Sequence, residues 1–210
     1  EAIAQEMERD PNVFVMGEPG YAKSSLIKCW CYWQFCLGGL TRWVTFTDPK
    51  GEYRPLAELM GMSVVRLEPG GRTRINPLES PRGLSAEEAA DDRAVQSTLL
   101  AGMAGTQLHR PLTQLERKML RMVIDVLNAR RGPTSPTLPD VVALLTEPNA
   151  DMCAATVRDV VELVRDTEEL RFCLDELCTG PLAGMFDGPS TVSVDWSGPG
   201  VVMDLSGVVD

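Results

Sequence analysis

The chain has a single histidine, His109, in 210 residues. That excludes a metal cluster built on histidine and makes a Ser-His-Asp triad a poor fit, so His109 is expected as a structural or surface residue. There are 6 cysteines, but no Cys-x-x-Cys pair among them. Cys29, Cys31 and Cys36 fall on one predicted helix with Cys31 pointing roughly opposite to the other two, and Cys173 and Cys178 are badly phased for a shared ligand. Buried free thiols in a reducing cytoplasm are the expectation. Long apolar runs are missing as well: none approaches the roughly 18 residues of a membrane-spanning helix. No basic segment leads into an apolar one after Glu1, so no signal peptide is read, and the missing initiator methionine is taken as the mark of a fragment or of processing. Positive charge is scarce. With 20 Lys and Arg against 30 Asp and Glu, the formal net charge is −10, which argues against a strong nucleic-acid binder, because phosphate backbones are held by clustered cations. The nearest basic cluster, Arg117, Lys118, Arg121, Arg130 and Arg131, reads as a solvated face and a basic helix end. Internal repeats and low-complexity linkers are absent, so the length suits one large domain or one domain with an insertion.

What is present is concentrated near the start. Val13–Met16 is a short apolar run, after which Gly17-Glu18-Pro19-Gly20-Tyr21-Ala22-Lys23-Ser24-Ser25 leads into a helix. Strand, tight loop and helix in that order follow the phosphate-binding pattern G-x-x-x-x-G-K-[ST], with Ala22 standing where the second glycine belongs. A polyphosphate needs converging backbone N–H groups and the positive end of a helix dipole. It also needs a lysine that reaches the β- and γ-phosphates and a hydroxyl for Mg²⁺. Gly17 and Gly20 permit the loop, and the backbone from Glu18 through Pro19, Tyr21 and Ala22 to Ser25 forms the cradle. Lys23 is the phosphate clamp, Ser24 the Mg²⁺ ligand, and Ser25 the residue at the α-phosphate. ATP and Mg²⁺ are the cofactors so implied. Ala22 is expected to be tolerated if its φ stays negative. The structural alternative is an ordinary strand–turn–helix with a chance lysine.

The rest of the chain extends an α/β reading. Ser24–Leu37 is a predicted helix, apolar nearly all round, with Trp30, Tyr32, Trp33 and Phe35, and is expected to be covered on more than one side. Trp43–Thr47 and Ser63–Leu67 read as strands with a helix, Tyr53–Met60, between them; this alternation signifies βαβ units and a parallel sheet. From Ser85 to Leu177 the pattern is helical. Ser85 with Glu88 and Thr113 with Glu116 have capping-box spacing, and Leu138–Leu145 and Ala154–Leu177 continue as helices. Thr191–Val194 and Val201–Leu205 return as strands. The expected architecture is an α/β domain over 1–79 and 189–210, interrupted by an α-helical insertion lobe over 80–188. Asp48 and Glu52 follow the second strand, on the rim where open α/β sheets bind ligands. Each is a candidate for orienting an attacking water or for pairing across a subunit boundary; equally, Asp48 caps a helix and Glu52 complements its first turn.

Several segments then resemble a known family. Pro11-Asn12-Val13-Phe14-Val15 before the loop, Asp48-Pro49-Lys50-Gly51-Glu52-Tyr53 and Ile75-Asn76-Pro77-Leu78 resemble conjugative-transfer ATPases of type IV secretion systems, of the VirB/TraC type. The similarity continues through Leu112-Thr113-Gln114-Leu115-Glu116, Leu138-Pro139-Asp140-Val141-Val142, the stretch from Gly180 to Gly188, and Val202-Met203-Asp204-Leu205-Ser206-Gly207. The resemblance implies a P-loop NTPase of the RecA-like, HerA/FtsK-like branch: an ATP-hydrolysing motor, hexameric, at the cytoplasmic face of a transfer channel. Channel proteins are its implied partners and DNA or protein its implied cargo, with no membrane span of its own. It also implies that the Walker B strand, an apolar run ending in Asp-Glu, lies beyond Asp210, and that an N-terminal domain belongs to the whole. Val201-Val202-Met203-Asp204 is not that strand, because Leu205 follows. Two other classes stay open on the residues: a nucleotide-binding scaffold with weak or lost hydrolysis, and a small-molecule P-loop kinase.

Overall fold

Three short runs of β-branched and apolar residues make the sheet, and they are scattered widely along the chain. In a computed structural model, which describes residues 15–18, 20–38, 44–81, 83–130, 134–194 and 198–208, these are β1 (Val44–Asp48), β2 (Ser63–Arg66) and β3 (Gly200–Asp204). The order is β1-β3-β2, with both pairings parallel. Phe46 lies opposite Val202, and Asp48 opposite Asp204. The approach of β1 to β3 is close: a Cβ on Gly200 would stand 2.0 Å from the Val44 carbonyl oxygen.

The two faces of the sheet have different covers. On one, α1 (Lys23–Gly38) and α2 (Arg54–Met60) pack over Phe46 and Val202, with Leu56, Ala57 and Met62 buried and Ile27 and Cys31 reaching in from α1. On the other, Val65, Leu67 and Val201 pack with Met185. Leu182 and Phe186 touch both this cluster and the core of the helical lobe, so they seat the lobe on the sheet. The lobe consists of α3 (Ala86–Gln107), α4 (Gln114–Ala129), α5 (Leu138–Thr146), α6 (Ala150–Thr156), α7 (Val160–Asp166) and α8 (Glu168–Thr179). The capping boxes at Ser85/Glu88 and Thr113/Glu116 both form, and two more appear at Thr137/Asp140 and Asp159/Glu162. Glu116 also accepts both arms of the Arg110 guanidinium, at 2.9 and 2.8 Å, and Arg110 reaches Glu169 at 2.5 Å, tying α4 to α8.

Four expectations need correction. Val15 and Met16 belong to no strand, and Met16 is 92% exposed; Val13 and Phe14 lie outside the described residues. No described strand offers their backbone a ladder, and a strand without one is not stable. Thr191–Val194 is irregular because Thr191 spends its hydroxyl and amide on Arg72 and Arg74 rather than on a ladder. The helix expected over Ala154–Leu177 is broken at Val157, which turns left-handed, and at Thr167, whose hydroxyl bonds back to the Leu163 carbonyl. Finally, the described residues cover α1 on one side only: Leu26, Trp30, Trp33 and Leu37 form an exposed stripe, while Ile27 and Cys31 face the sheet. Among the described residues no helix is long and apolar enough to cross a membrane.

Candidate functional site

The first turn of a helix has amides with no acceptor inside the helix. In α1 the first intrahelical bond runs from the Leu26 amide to the Ala22 carbonyl at 2.9 Å, so Ala22 ends the loop and the amides of Lys23, Ser24 and Ser25 stand at its open end. The loop before it turns tightly, the Tyr21 amide approaching the Glu18 carbonyl at 3.4 Å. Gly20 takes φ 85° and has open space where a Cβ would be. At Gly17 a Cβ would make only ordinary contacts with the Lys23 stem, at 3.6 and 3.7 Å, so the fold itself does not demand glycine there. Gly17, Glu18 and Tyr21 line an open concavity of about 370 Å³, and Tyr21 points its ring to solvent. Pro19 lies outside the described residues. A larger groove of about 630 Å³, lined from 75–81 and 190–194, shares no residue with the loop.

Two details depart from the expectation. Ala22 adopts φ 56°, not a negative value. The loop thus asks of this position the left-handed conformation that glycine takes freely and alanine takes at about 1 kcal/mol. Lys23 donates from Nζ to the Glu18 carbonyl at 2.6 Å, closing its own side chain over the loop. The set of groups fits a phosphate: an open-ended helix, a glycine turn with free space, an ammonium on a flexible stem, and the Ser24 and Ser25 hydroxyls beside it. To clamp a phosphate, Lys23 has to exchange the Glu18 carbonyl for it.

Asp48 ends β1 and is 1% exposed. Its Oδ1 accepts the Lys50 amide at 3.2 Å and its Oδ2 the Tyr53 amide at 2.8 Å, so the carboxylate organises the turn into α2. Glu52 is exposed on that turn. Tyr53 links the rim to the loop helix: its ring stacks on Phe46 at 4.6 Å and carries the Lys28 ammonium at 5.1 Å. Lys28 follows Lys23 by five residues, about 7.5 Å along the axis. The contact therefore draws the first part of α1 toward the strand ends where Asp48 and Glu52 sit. Burial, then the charges of Asp48, Cys31 and Glu52, push the Tyr53 hydroxyl up from its ordinary pKa.

Sequence reasoning missed two residues on this rim. Asp204, opposite Asp48, is 7% exposed and accepts the Ser206 amide at 2.9 Å and hydroxyl at 2.6 Å. Burial works to raise its pKa, but the Ser206 bonds and the charges of Arg66 and Arg54 prevail and hold it below the ordinary range. Gly51 passes so near that a Cβ would lie 3.3 Å from the Ser206 hydroxyl. The signal was the Asp-Leu-Ser triplet itself, which sets a carboxylate and a hydroxyl at a strand end. Among the described residues no group of three His, Cys, Asp or Glu side chains forms a metal site.

No protein-family model and no curated protein matches the chain. Among solved structures its fold is similar to that of VirB4 of Thermoanaerobacter pseudethanolicus, with a TM-score of 0.56 and 18% sequence identity. The similarity covers 90% of this chain and 66% of that one, so the chain spans just under two thirds of the length of that structure.

Proposed function

We propose that this chain is the nucleotide-binding part of an ATP-hydrolysing motor of a type IV secretion or conjugative transfer system, related to VirB4. The observation that carries the reading is the Gly17–Ala22 turn running into the open end of α1 with Lys23 folded over it, in a chain whose fold is similar to VirB4's. In this reading residues 1–79 and 189–210 form the ATPase domain and 80–188 the insertion lobe. The parent protein works as a hexamer in the cytoplasm, at the inner face of the membrane, against channel proteins and a DNA or protein cargo.

Each residue's part follows from its chemistry. Bound ATP–Mg²⁺ supplies the phosphoanhydride whose hydrolysis drives movement. The amides of Glu18 and of Gly20 to Ser25 donate to phosphate oxygens, Pro19 having none to give, and the Lys23 ammonium neutralises their charge. Ser24 offers its hydroxyl to Mg²⁺, and Ser25 contacts the α-phosphate. Asp48 positions the 49–53 turn through two backbone amides, and this leaves exposed Glu52 as the carboxylate that orients water or meets a neighbouring subunit. One observation favours a second reading, a nucleotide-binding scaffold with weak hydrolysis: the strained Ala22 tightens the loop at some cost to its fit on phosphate. Oligomer-dependent ATP hydrolysis by the full-length parent protein separates the two. The test of the site is calorimetry with ATP–Mg²⁺ on wild type and Lys23→Ala, whose helix and core remain intact. Loss of binding by tenfold or more is expected; equal affinities remove the assignment.

A further inference from the structure

The helical lobe carries an apolar surface that its own core does not use. Between α7 and α8 runs an open groove of about 380 Å³ lined by Val160, Val161, Val164, Arg165, Glu168 and Arg171. α7 buries Leu163 in the lobe and turns its valines outward, leaving Val160 48% and Val161 76% exposed. Three residues earlier, Val157 caps α6 at φ 54° and ψ 46° and is 91% exposed. A left-handed cap favours glycine, and a β-branched residue there costs about 1–2 kcal/mol. Val157 belongs to none of the described hydrophobic clusters, so the fold recovers nothing from its side chain. Strain that holds an apolar group in water points to something outside the chain.

Charge decides what that is. Arg171 lies over the exposed Phe172 ring at 4.1 Å. Arg165 comes no nearer a carboxylate than 3.8 Å from Asp166, which Arg158 already holds at 2.7 Å. Glu168 is the single acid in the lining. The groove therefore sets two guanidinium groups beside a row of valine methyls. We propose that this groove docks an amphipathic segment of a partner protein that carries branched apolar side chains flanked by carboxylates. An anionic bilayer fits less well, because the two guanidinium groups stand in a concave groove that a segment of chain can enter and a flat headgroup layer cannot. The inference does not depend on the nucleotide site. A groove this small makes a weak, reversible interface rather than an obligate one.

The test selects a phage-displayed library of 16-residue peptides against the chain and measures synthetic copies of the winners by fluorescence anisotropy. Enriched peptides are expected to pair Leu, Ile or Val with Asp or Glu, and to lose at least tenfold in affinity to Val161→Asp and to Arg171→Glu. The decisive variant is Val160→Asp, at a half-exposed lining position: peptide affinity should fall at least tenfold while the melting temperature stays close to that of the wild type. Unchanged affinity in this variant overturns the proposal. So do three further outcomes: enrichment of basic peptides or of none, flotation with phosphatidylserine vesicles that Val161→Asp abolishes, or self-association in sedimentation that the same substitution removes.

Discussion

At Ala22 one methyl group sets the character of the loop. Its φ of 56° is the value at which a Cβ is penalised, and the alanine precedes the lysine that the loop must release. Ala22→Gly removes the strain of about 1 kcal/mol and returns part of it as backbone freedom in the unfolded chain. Because that strain is already present in the loop as it stands, it cancels in binding, and ATP–Mg²⁺ affinity should stay within about twofold of wild type, read by calorimetry; clearly weaker binding would mean that the left-handed turn is not the phosphate-binding conformation. Glu116 offers a second test at this scale. The Arg110 guanidinium holds its carboxyl at about 2 despite burial, with the Thr113 amide and hydroxyl assisting. A folded-state value below the ordinary one contributes stability that is complete above the ordinary glutamate pKa and is lost as pH falls through the folded value. The window thus runs from about 4.5 down to about 2. Glu116→Gln should cost on the order of 2 kcal/mol at neutral pH, since Arg110 is a third exposed and solvent screens part of the pair. Urea midpoints at pH 7 and pH 3 check it: the gap between wild type and variant should narrow at the lower pH, and a constant gap would contradict the ion-pair account.

Among the elements, β3 holds the sheet together and does so through a contact that leaves no room. Gly200→Ala places a methyl against the Val44 backbone and 2.8 Å from Met62 Cε, and backbone cannot step aside as a side chain can. A loss of about 3 kcal/mol or more in urea unfolding is expected; a loss below 1 kcal/mol would show that β1 and β3 can slide apart cheaply. The element scale is also where the limits of reading a sequence show. The caps at Ser85 and Thr113 were legible because a hydroxyl and a carboxylate three residues apart act locally. The break at Val157 was not, because helical periodicity runs through it and nothing in a valine announces a left-handed turn. The open side of α1 was equally hidden: the stripe Leu26, Trp30, Trp33 and Leu37 has a core's composition, and exposure is a property of the tertiary arrangement. In the candidate site the turn at Gly20 and the helix start at Lys23 were legible from type and spacing alone. The part played by Tyr53, a bridge from Lys28 to the β1 rim, depends on packing between two helices and had no local signal.

For the molecule as a whole, catalysis is expected to be the weaker half of its chemistry. In the proposed reading the chain carries a phosphate cradle, but no described strand ends in Asp-Glu to help hold Mg²⁺; the Asp175-Glu176 pair lies on α8. The isolated chain should bind ATP–Mg²⁺ yet release phosphate little above background in a coupled assay; turnover at the pace of a working motor would mean that another acid, with Asp204 the first to replace, supplies that function. The strand order has a consequence for how the molecule comes into being. β1 and β2 do not pair with each other, and both wait for β3, which follows the lobe about 140 residues after β2, so closing that span costs about 4 kcal/mol in chain entropy before any ladder forms. Refolding should accordingly be slow for the sheet and fast for the lobe, whose caps and heptad-scale contacts need no distant partner. During synthesis the ribosome releases two strand edges and an apolar helix long before their central neighbour exists. Until then those edges and that helix are open to the wrong partner, and the finished core can protect them only after β3 has been made.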